Sequence, residues 1–237
     1  RHVWIERSYA LSQQALVQGF LPHTNAGPLG FDEMVRLKQV NVSMGLMLEQ
    51  LTPNLLHTVH RHAPSKRPEF RLQQLRWAGE LQIPFTTGLL LGIGETTDDW
   101  EETLVAIAAL HQKYRHIQEV ILQPHQPGER QVSPGNPCDD TMLLASVRLA
   151  RSILPDTIVI QIPPNLVRSP QMLIACIDAG ARDLGGIGPW DEVNPSYAHQ
   201  TLETLSALLK SHGYNLSARL PLYPQYARWL TPTLQEK

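Results

Sequence analysis

The stretch FTTGLLLGIGET, Phe85 to Thr96, runs through Thr97 into DDWEETLVAIAALHQKY, Asp98 to Tyr114, and two residues later into IQEVILQ, Ile117 to Gln123. An apolar run, a helical stretch opened by acids and a second apolar run form the pattern of two parallel strands joined by a covering helix. Asp98, Asp99, Glu101 and Glu102 suit the positive end of that helix's dipole, and Thr97 is its expected cap. Outward from this unit the alternation continues in both directions. It predicts strands over 19–21, 41–48, 85–91, 119–122, 157–162 and 183–186, and helices over 69–81, 98–114, 139–153, 171–179 and 197–211. Gly180 and Gly213 stand just past two of those helices, where a left-handed residue ends the turn.

Six such units predict an α/β fold of the (β/α)8 barrel type, in which eight units close the ring. The chain opens on a helical pattern, with Val3, Trp4, Tyr9, Leu11, Ala15 and Leu16 on one stripe. The expectation is therefore one domain over 1–237 that forms the last six units, with the first two encoded upstream of Arg1. An open doubly wound sheet is the alternative, although no GxGxxG follows the first strand.

Composition narrows the function. With 237 residues, 42% hydrophobic and 18% charged, the chain can bury a sizeable core and lacks the signature of disorder. Twenty basic against 22 acidic residues, with no run of five like charges, argues against nucleic acid or an anionic membrane as partner. No apolar stretch reaches the ~18 residues of a membrane span and no leader pattern is visible, so the expected location is cytoplasmic. Cys138 and Cys176 are too far apart for a disulfide framework or a CxxC motif.

In a parallel barrel the active site lies at the C-terminal ends of the strands. All six ends here are polar: His23, Thr24 and Asn25; Glu49; Gly92, Gly94 and Glu95; Gln123 and His125; Gln161 and Asn165; and Gly185, Gly186 and Asp191 to Asn194. Any one of these has an ordinary explanation as a solvated loop, but six together point to a rim. The glycines of GLLLGIGET do not read as a phosphate grip, because the acids of the following helix would repel the anion. A flat, uncharged group against Gly92 and Gly94 fits better, with a plain turn as the more common reading, and Glu95 is a rim carboxylate of unassigned partner. His57, His60 and His62 could be a metal trio, but Thr52-Pro53 looks like a helix start that places them around its last turn, where imidazole suits the dipole. Arg61, Lys66, Arg67, Arg71 and Arg76 form a basic region, mostly a solvated face, from which one inward arginine could hold a carboxylate bidentately.

Taken together, LPHTNAG (21–27), VSMGLMLE (42–49), PFTTGLLLGIGET (84–96), IQEVILQ (117–123), QIPPNL (161–166) and VNP (193–195) resemble the radical S-adenosylmethionine family of 7,8-didemethyl-8-hydroxy-5-deazariboflavin synthases, in its separate first-subunit form. PHTN followed by SMGLMLE and PFTTG is the specific part; the glycine-rich segment is shared by many radical S-adenosylmethionine enzymes. The resemblance implies a barrel of the biotin-synthase type. It also implies S-adenosylmethionine and a 4Fe-4S cluster held by a CxxxCxxC loop, which this chain lacks and which is expected upstream. It further implies an electron donor and a partner subunit that makes the substrate, an adduct of a 4-hydroxybenzyl group and ribitylaminouracil. Reductive cleavage of S-adenosylmethionine to a 5′-deoxyadenosyl radical, hydrogen abstraction, ring closure and loss of ammonia would follow.

By the same resemblance Glu49 and Arg71 hold S-adenosylmethionine, and Gly92, Gly94 and Glu95 lie beside its adenine. His23, Thr24, Asn25, Gln123, Gln161, Asn165 and Asn194 are the expected substrate residues, amides suiting a dione edge and ribityl hydroxyls. Competing readings are a sister radical S-adenosylmethionine enzyme, such as the adduct-forming subunit or a menaquinone-pathway enzyme, and a cluster-free barrel that binds a small ligand or partner. A phosphate-binding barrel, with its grip at Gly185 to Gly188, is a third.

Overall fold

A computed structural model of the chain describes residues 1–128, 138–188, 191 and 195–236. The elements run α1 His2–Val17, β1 His23–Thr24, α2 Phe31–Lys38, β2 Ser43–Gly45, α3 Pro68–Glu80, β3 Phe85–Leu91, α4 Thr97–Tyr114, β4 Ile117–Pro124, α5 Asp140–Ile153, β5 Val159–Gln161, α6 Pro170–Asp178, β6 Ala181–Asp183, α7 Leu202–Ser211 and α8 Pro232–Gln235. The six strands form one sheet in chain order, each parallel to the next. Sequential parallel strands separated by helices make an arc of a (β/α)8 barrel rather than an open doubly wound sheet, whose strand order would reverse.

β3 shows why the sequence folds this way. Phe85, Thr87, Leu89 and Leu91 alternate along the strand, fully buried, while Thr86 between them faces a cavity on the concave side. The buried side chains pack with Leu75 and Ala78 of α3 and Leu104 and Ile107 of α4 in one core. α4 is held at its start by Thr96 rather than Thr97. Asp99 N–H donates to Thr96 Oγ1, and Thr96 N–H donates to the Asp99 carboxylate at 2.7 Å, a reciprocal capping box.

Three local expectations are corrected. Residues 19–21 are no strand: Gly19, at φ 84°, ends α1, and Phe20 N–H donates back to Ala15 O, so the first strand starts later, at His23. The stripe expected on α1 is not its buried face. Ile5 and Ser12 are buried, spaced as a helix requires, whereas Val3, Trp4 and Leu11 are exposed. The long strand expected over 41–48 has a regular ladder only at Ser43–Gly45, yet Leu46 and Glu49 still donate to Thr86 O and Gly88 O, so the segment stays beside β3 in irregular form. Gly180 and Gly213 do stand left-handed after α6 and α7. No helix among the described residues is long and apolar enough to cross a membrane.

Candidate active site

Two polar clusters occupy the concave side and rim of the sheet. The first centres on Glu49, whose positive φ of 66° is uncommon for a residue with a side chain. The carboxylate is buried and faces three cationic side chains: Lys66 Nζ and Arg71 Nη1, the latter at 3.5 Å, both approach Oε1, and His60 Nε2 lies 3.2 Å from Oε2. Arg71 is buried on the first turns of α3, donating from Nε to Ser65 O at 3.0 Å and from Nη1 to Met47 O. The inward arginine expected from the basic region is thus Arg71, while Arg61, Arg67 and Arg76 are exposed. Desolvation lowers Arg71 to about 10 and, with the Arg71 charge beside it, lowers Lys66 to about 8.

Lys66 and His60 escaped the sequence reading. Each comes from the irregular segment between β2 and α3, where Pro53–His57 and Pro64–Lys66 are short 3-10 turns rather than the helix expected after Pro53. His57 and His62 are exposed, and no group of three or more His, Cys, Asp or Glu among the described residues is placed to hold a metal ion.

The glycine loop after β3 has a different role from the expected one. Glu95 accepts from Gly92 N–H at 2.7 Å, Ile93 N–H at 2.8 Å and Trp100 Nε1 at 3.0 Å, so its carboxylate ties the loop to α4. These backbone donors are therefore filled from within the chain. At Gly92, φ is 87° and a Cβ would come within 2.7 Å of Cys138 N, so the close approach there is to backbone and not to a flat ligand. Gly94 does leave room, its nearest neighbour being Leu55 Cδ2 at 3.7 Å from a Cβ position.

The second cluster lies on the sheet's concave side, against a cavity of about 950 Å³. Glu119, from β4, is 4% exposed. It accepts from Thr86 Oγ1 at 3.2 Å and from Arg219 Nη2, and Gln161 with its amide nitrogen turned inward donates to both carboxylate oxygens at 3.1 Å. Arg219 also pairs through Nε with Asp183 at the end of β6, which accepts from Tyr223 Oη at 2.9 Å. Burial and the neighbouring Asp183 charge push Glu119 up to about 7, while Asp183, hydrogen-bonded by Arg219 and the Gly185 N–H, is lowered. Sequence reading found only Gln161 here. Glu119 looked like the start of a strand, and Arg219 and Tyr223 come from the tail after α7.

The remaining expected rim residues divide. His23 Nδ1 lies 2.7 Å from Ser43 Oγ, and the residue lines the same cavity. Thr24 donates to the buried Asn41 at 2.6 Å, and Asn25 is exposed. Gln123 is half-buried near the end of β4. Asn165 donates to Asp191 at 2.7 Å and to Tyr197 O at 3.0 Å, which makes it a tie between loops rather than a free rim amide. Asn194 lies outside the described residues. Gly185 N–H is taken by Asp183 at 2.7 Å, which counts against a phosphate grip there. Cys138 and Cys176 are buried on separate parts of the fold, their thiols pushed up to about 12 by burial.

Comparison with known proteins adds an independent finding. The chain is 64% identical over 235 residues to a 7,8-didemethyl-8-hydroxy-5-deazariboflavin synthase from Trichormus variabilis, covering 99% of this chain and 69% of that protein. It is 61% identical over 237 residues to a protein of the same name from Thermosynechococcus vestitus, covering 75% of it. No family model matches. Among solved structures, methylornithine synthase superposes with a TM-score of 0.63 at 12% identity, over 92% of this chain and 64% of that one. That likeness supports the barrel fold.

Proposed function

We propose that this chain, which belongs to the 7,8-didemethyl-8-hydroxy-5-deazariboflavin synthase family, binds S-adenosylmethionine at the Glu49 cluster and the deazaflavin precursor in the cavity beneath it. The substrate would be the adduct of a hydroxybenzyl group and ribitylaminouracil supplied by a partner subunit, and ammonia would be released.

The observation that carries this reading is the charge arrangement at Glu49. A free amino-acid head group bears an ammonium and a carboxylate side by side, and here one carboxylate stands beside two cations that carry opposite complementarity. Glu49 Oε2 and His60 Nε2 are both buried without a hydrogen bond, so the cluster has polar capacity left for a ligand. Glu49 would accept from the ammonium, and Arg71 and Lys66 would face the carboxylate. Gly94 leaves space for a flat ring. When bound, S-adenosylmethionine would supply one-electron hydrogen-abstraction chemistry. The chain's own residues orient the head group and keep water from the buried carboxylate.

The iron-sulfur cluster does not fit the residues described. Two separate, buried, protonated thiols cannot replace three cysteines on one loop, so the described residues supply no ligand set for it.

The test is calorimetric binding of S-adenosylmethionine to the intact enzyme. Losing a charged hydrogen bond costs ~1.5–3 kcal/mol, so Arg71→Lys and Glu49→Gln should each weaken binding about tenfold or more. Arg76→Ala, on the exposed face, should leave affinity unchanged. Unchanged affinity in both cluster variants would remove the head group from this site.

A further inference from the structure

We propose that Glu119 is the proton-transferring carboxyl group of the cavity, giving its proton to the substrate nitrogen that departs and taking one back from the substrate as the new double bond forms. This rests on the ammonia-releasing reading above and assigns that step to a residue.

Its position first suggests the role. Glu119 projects from the middle sheet strand into a cavity large enough for a planar, polyhydroxylated substrate, so its carboxyl group borders the space where reacting atoms would sit. A buried acid of purely structural use would be expected to pair one-to-one with a cation. Here one guanidinium, Arg219, is shared between two carboxylates, Glu119 and Asp183, which leaves the trio one positive charge short. Holding one proton on the pair removes that deficit.

The groups facing Glu119 from each side are consistent with this. Thr86 and Gln118 come from β3 and β4, Gln161 from β5, Asp183 from β6, and Arg219 and Tyr223 from the tail. His23, across the cavity from β1, is crowded by protein atoms and lies near Arg219, which keeps it neutral with a pKa of about 4. The proton is therefore not held by the histidine at neutral pH. Asp183 is fully engaged by Arg219, Tyr223 and the Gly185 N–H, which leaves Glu119 as the partner that carries the proton. Its raised pKa, about 7, matches an acid that must be both donor and acceptor near neutrality.

The step balances within the substrate. The carbon-nitrogen bond breaks with its electron pair on nitrogen, the Glu119 proton completes ammonia, and the substrate atom next to the breaking bond surrenders a proton to the Glu119 carboxylate as the double bond closes. The carboxyl group is restored, and no external acid, base or oxidant is consumed.

Two measurements test it on the intact enzyme. With glutamate labelled by carbon-13 at the side-chain carboxyl, one resonance, identified by its loss in Glu119→Gln, should titrate near pH 7 and move to lower pH in Asp183→Asn. In turnover, Glu119→Gln should lower kcat for deazaflavin about 100-fold with KM little changed, and Glu119→Asp should recover part of the loss. Asp183→Asn should move the high-pH fall of the rate to lower pH, which a structural defect would not do. A Glu119 signal titrating in the ordinary carboxylate range, or Glu119→Gln turning over within threefold of the unaltered enzyme, overturns the proposal alone. Absence of deazaflavin from the unaltered enzyme overturns the family reading and this chemistry with it.

Discussion

Replacing Arg71 by methionine keeps the apolar stem and deletes the guanidinium. In the structure that group serves Ser65 O, Met47 O and Glu49 together, from a residue 4% exposed. A hydrogen bond to a charged group contributes ~1.5–3 kcal/mol, and removing one member of a buried ion pair costs ~3–5 kcal/mol. Lys66 and His60 stay beside Glu49, so its charge is not left alone, and the cost should fall near the lower end, about 3 kcal/mol. Against a total stability of ~5–15 kcal/mol this is large. With a urea slope of ~2 kcal/mol per molar, the unfolding midpoint followed by circular dichroism should drop by about 1.5 M. Arg71→Lys restores the charge but not the fork that reaches two carbonyls, and should recover about half. Arg76→Met, whose side chain is exposed and reaches only Gln73, should change stability by less than ~0.5 kcal/mol. If Arg71→Met and Arg76→Met unfold at the same midpoint, the buried network is not what holds the segment between β2 and α3 in place.

Gly88→Ala should destabilise by ~1–3 kcal/mol in urea unfolding, because the added Cβ would sit 2.2 Å from the backbone oxygen of Ile121 in the neighbouring strand, which cannot move aside cheaply. Thr96→Ala, removing both halves of the α4 capping box, should cost ~1 kcal/mol, whereas Thr97→Ala should cost little; the same assay separates them. The buried His111 and His116 have pKa values lowered by burial to about 4 and about 3, so the unfolded chain binds protons that the folded one refuses. Their contribution is present above pH ~6.5 and lost as pH falls toward those values, at ~1.4 kcal/mol per pH unit for each. Urea midpoints at a series of pH values should show the acid limb flatten in His116→Phe. Glu119 acts in the opposite sense: its raised pKa favours the fold below pH ~4.5, and that contribution fades as pH rises to about 7.

What was legible in the sequence and what was not divides by the range of the interaction that sets each feature. β3 and α4 could be placed almost to the residue because their signals are local: alternating burial, an acidic first turn and a cap within four residues. The cap itself was misplaced by one residue since Thr96 and Thr97 offer the same hydroxyl, and only the reach of Asp99 back to Thr96 N–H distinguishes them. α1 misled because both of its faces carry apolar residues; pattern alone cannot tell that Ile5 and Ser12 face the sheet. In the same way, Glu95 looked like a rim ligand because its acceptors of choice, the N–H groups of Gly92 and Ile93, leave no trace in residue type.

The Glu119 cluster marks the sharper limit. Its members span 134 positions, from Thr86 at the start of β3 through Glu119, Gln161 and Asp183 to Arg219 and then Tyr223 in the tail, where Pro221 O also accepts from Ser43 and Gln118. The span is 220 minus 86, counted to Leu220, whose carbonyl accepts from Arg219 Nη1 and so aims the guanidinium. No window of sequence contains such a constellation, because the only thing joining its parts is closure of the sheet around the cavity. That closure has a chemical consequence. A carboxylate pair bridged by one guanidinium exists only when the tail lies across the strands, so the acid strength of Glu119 depends on a contact made by the last part of the chain to fold into place. Arg219→Gln should therefore raise the Glu119 titration further, since the cation that favours the carboxylate is gone while Asp183 remains. A titration midpoint that stays put in Arg219→Gln would show that burial alone sets it, and that the tail contributes shape to the cavity but not proton affinity.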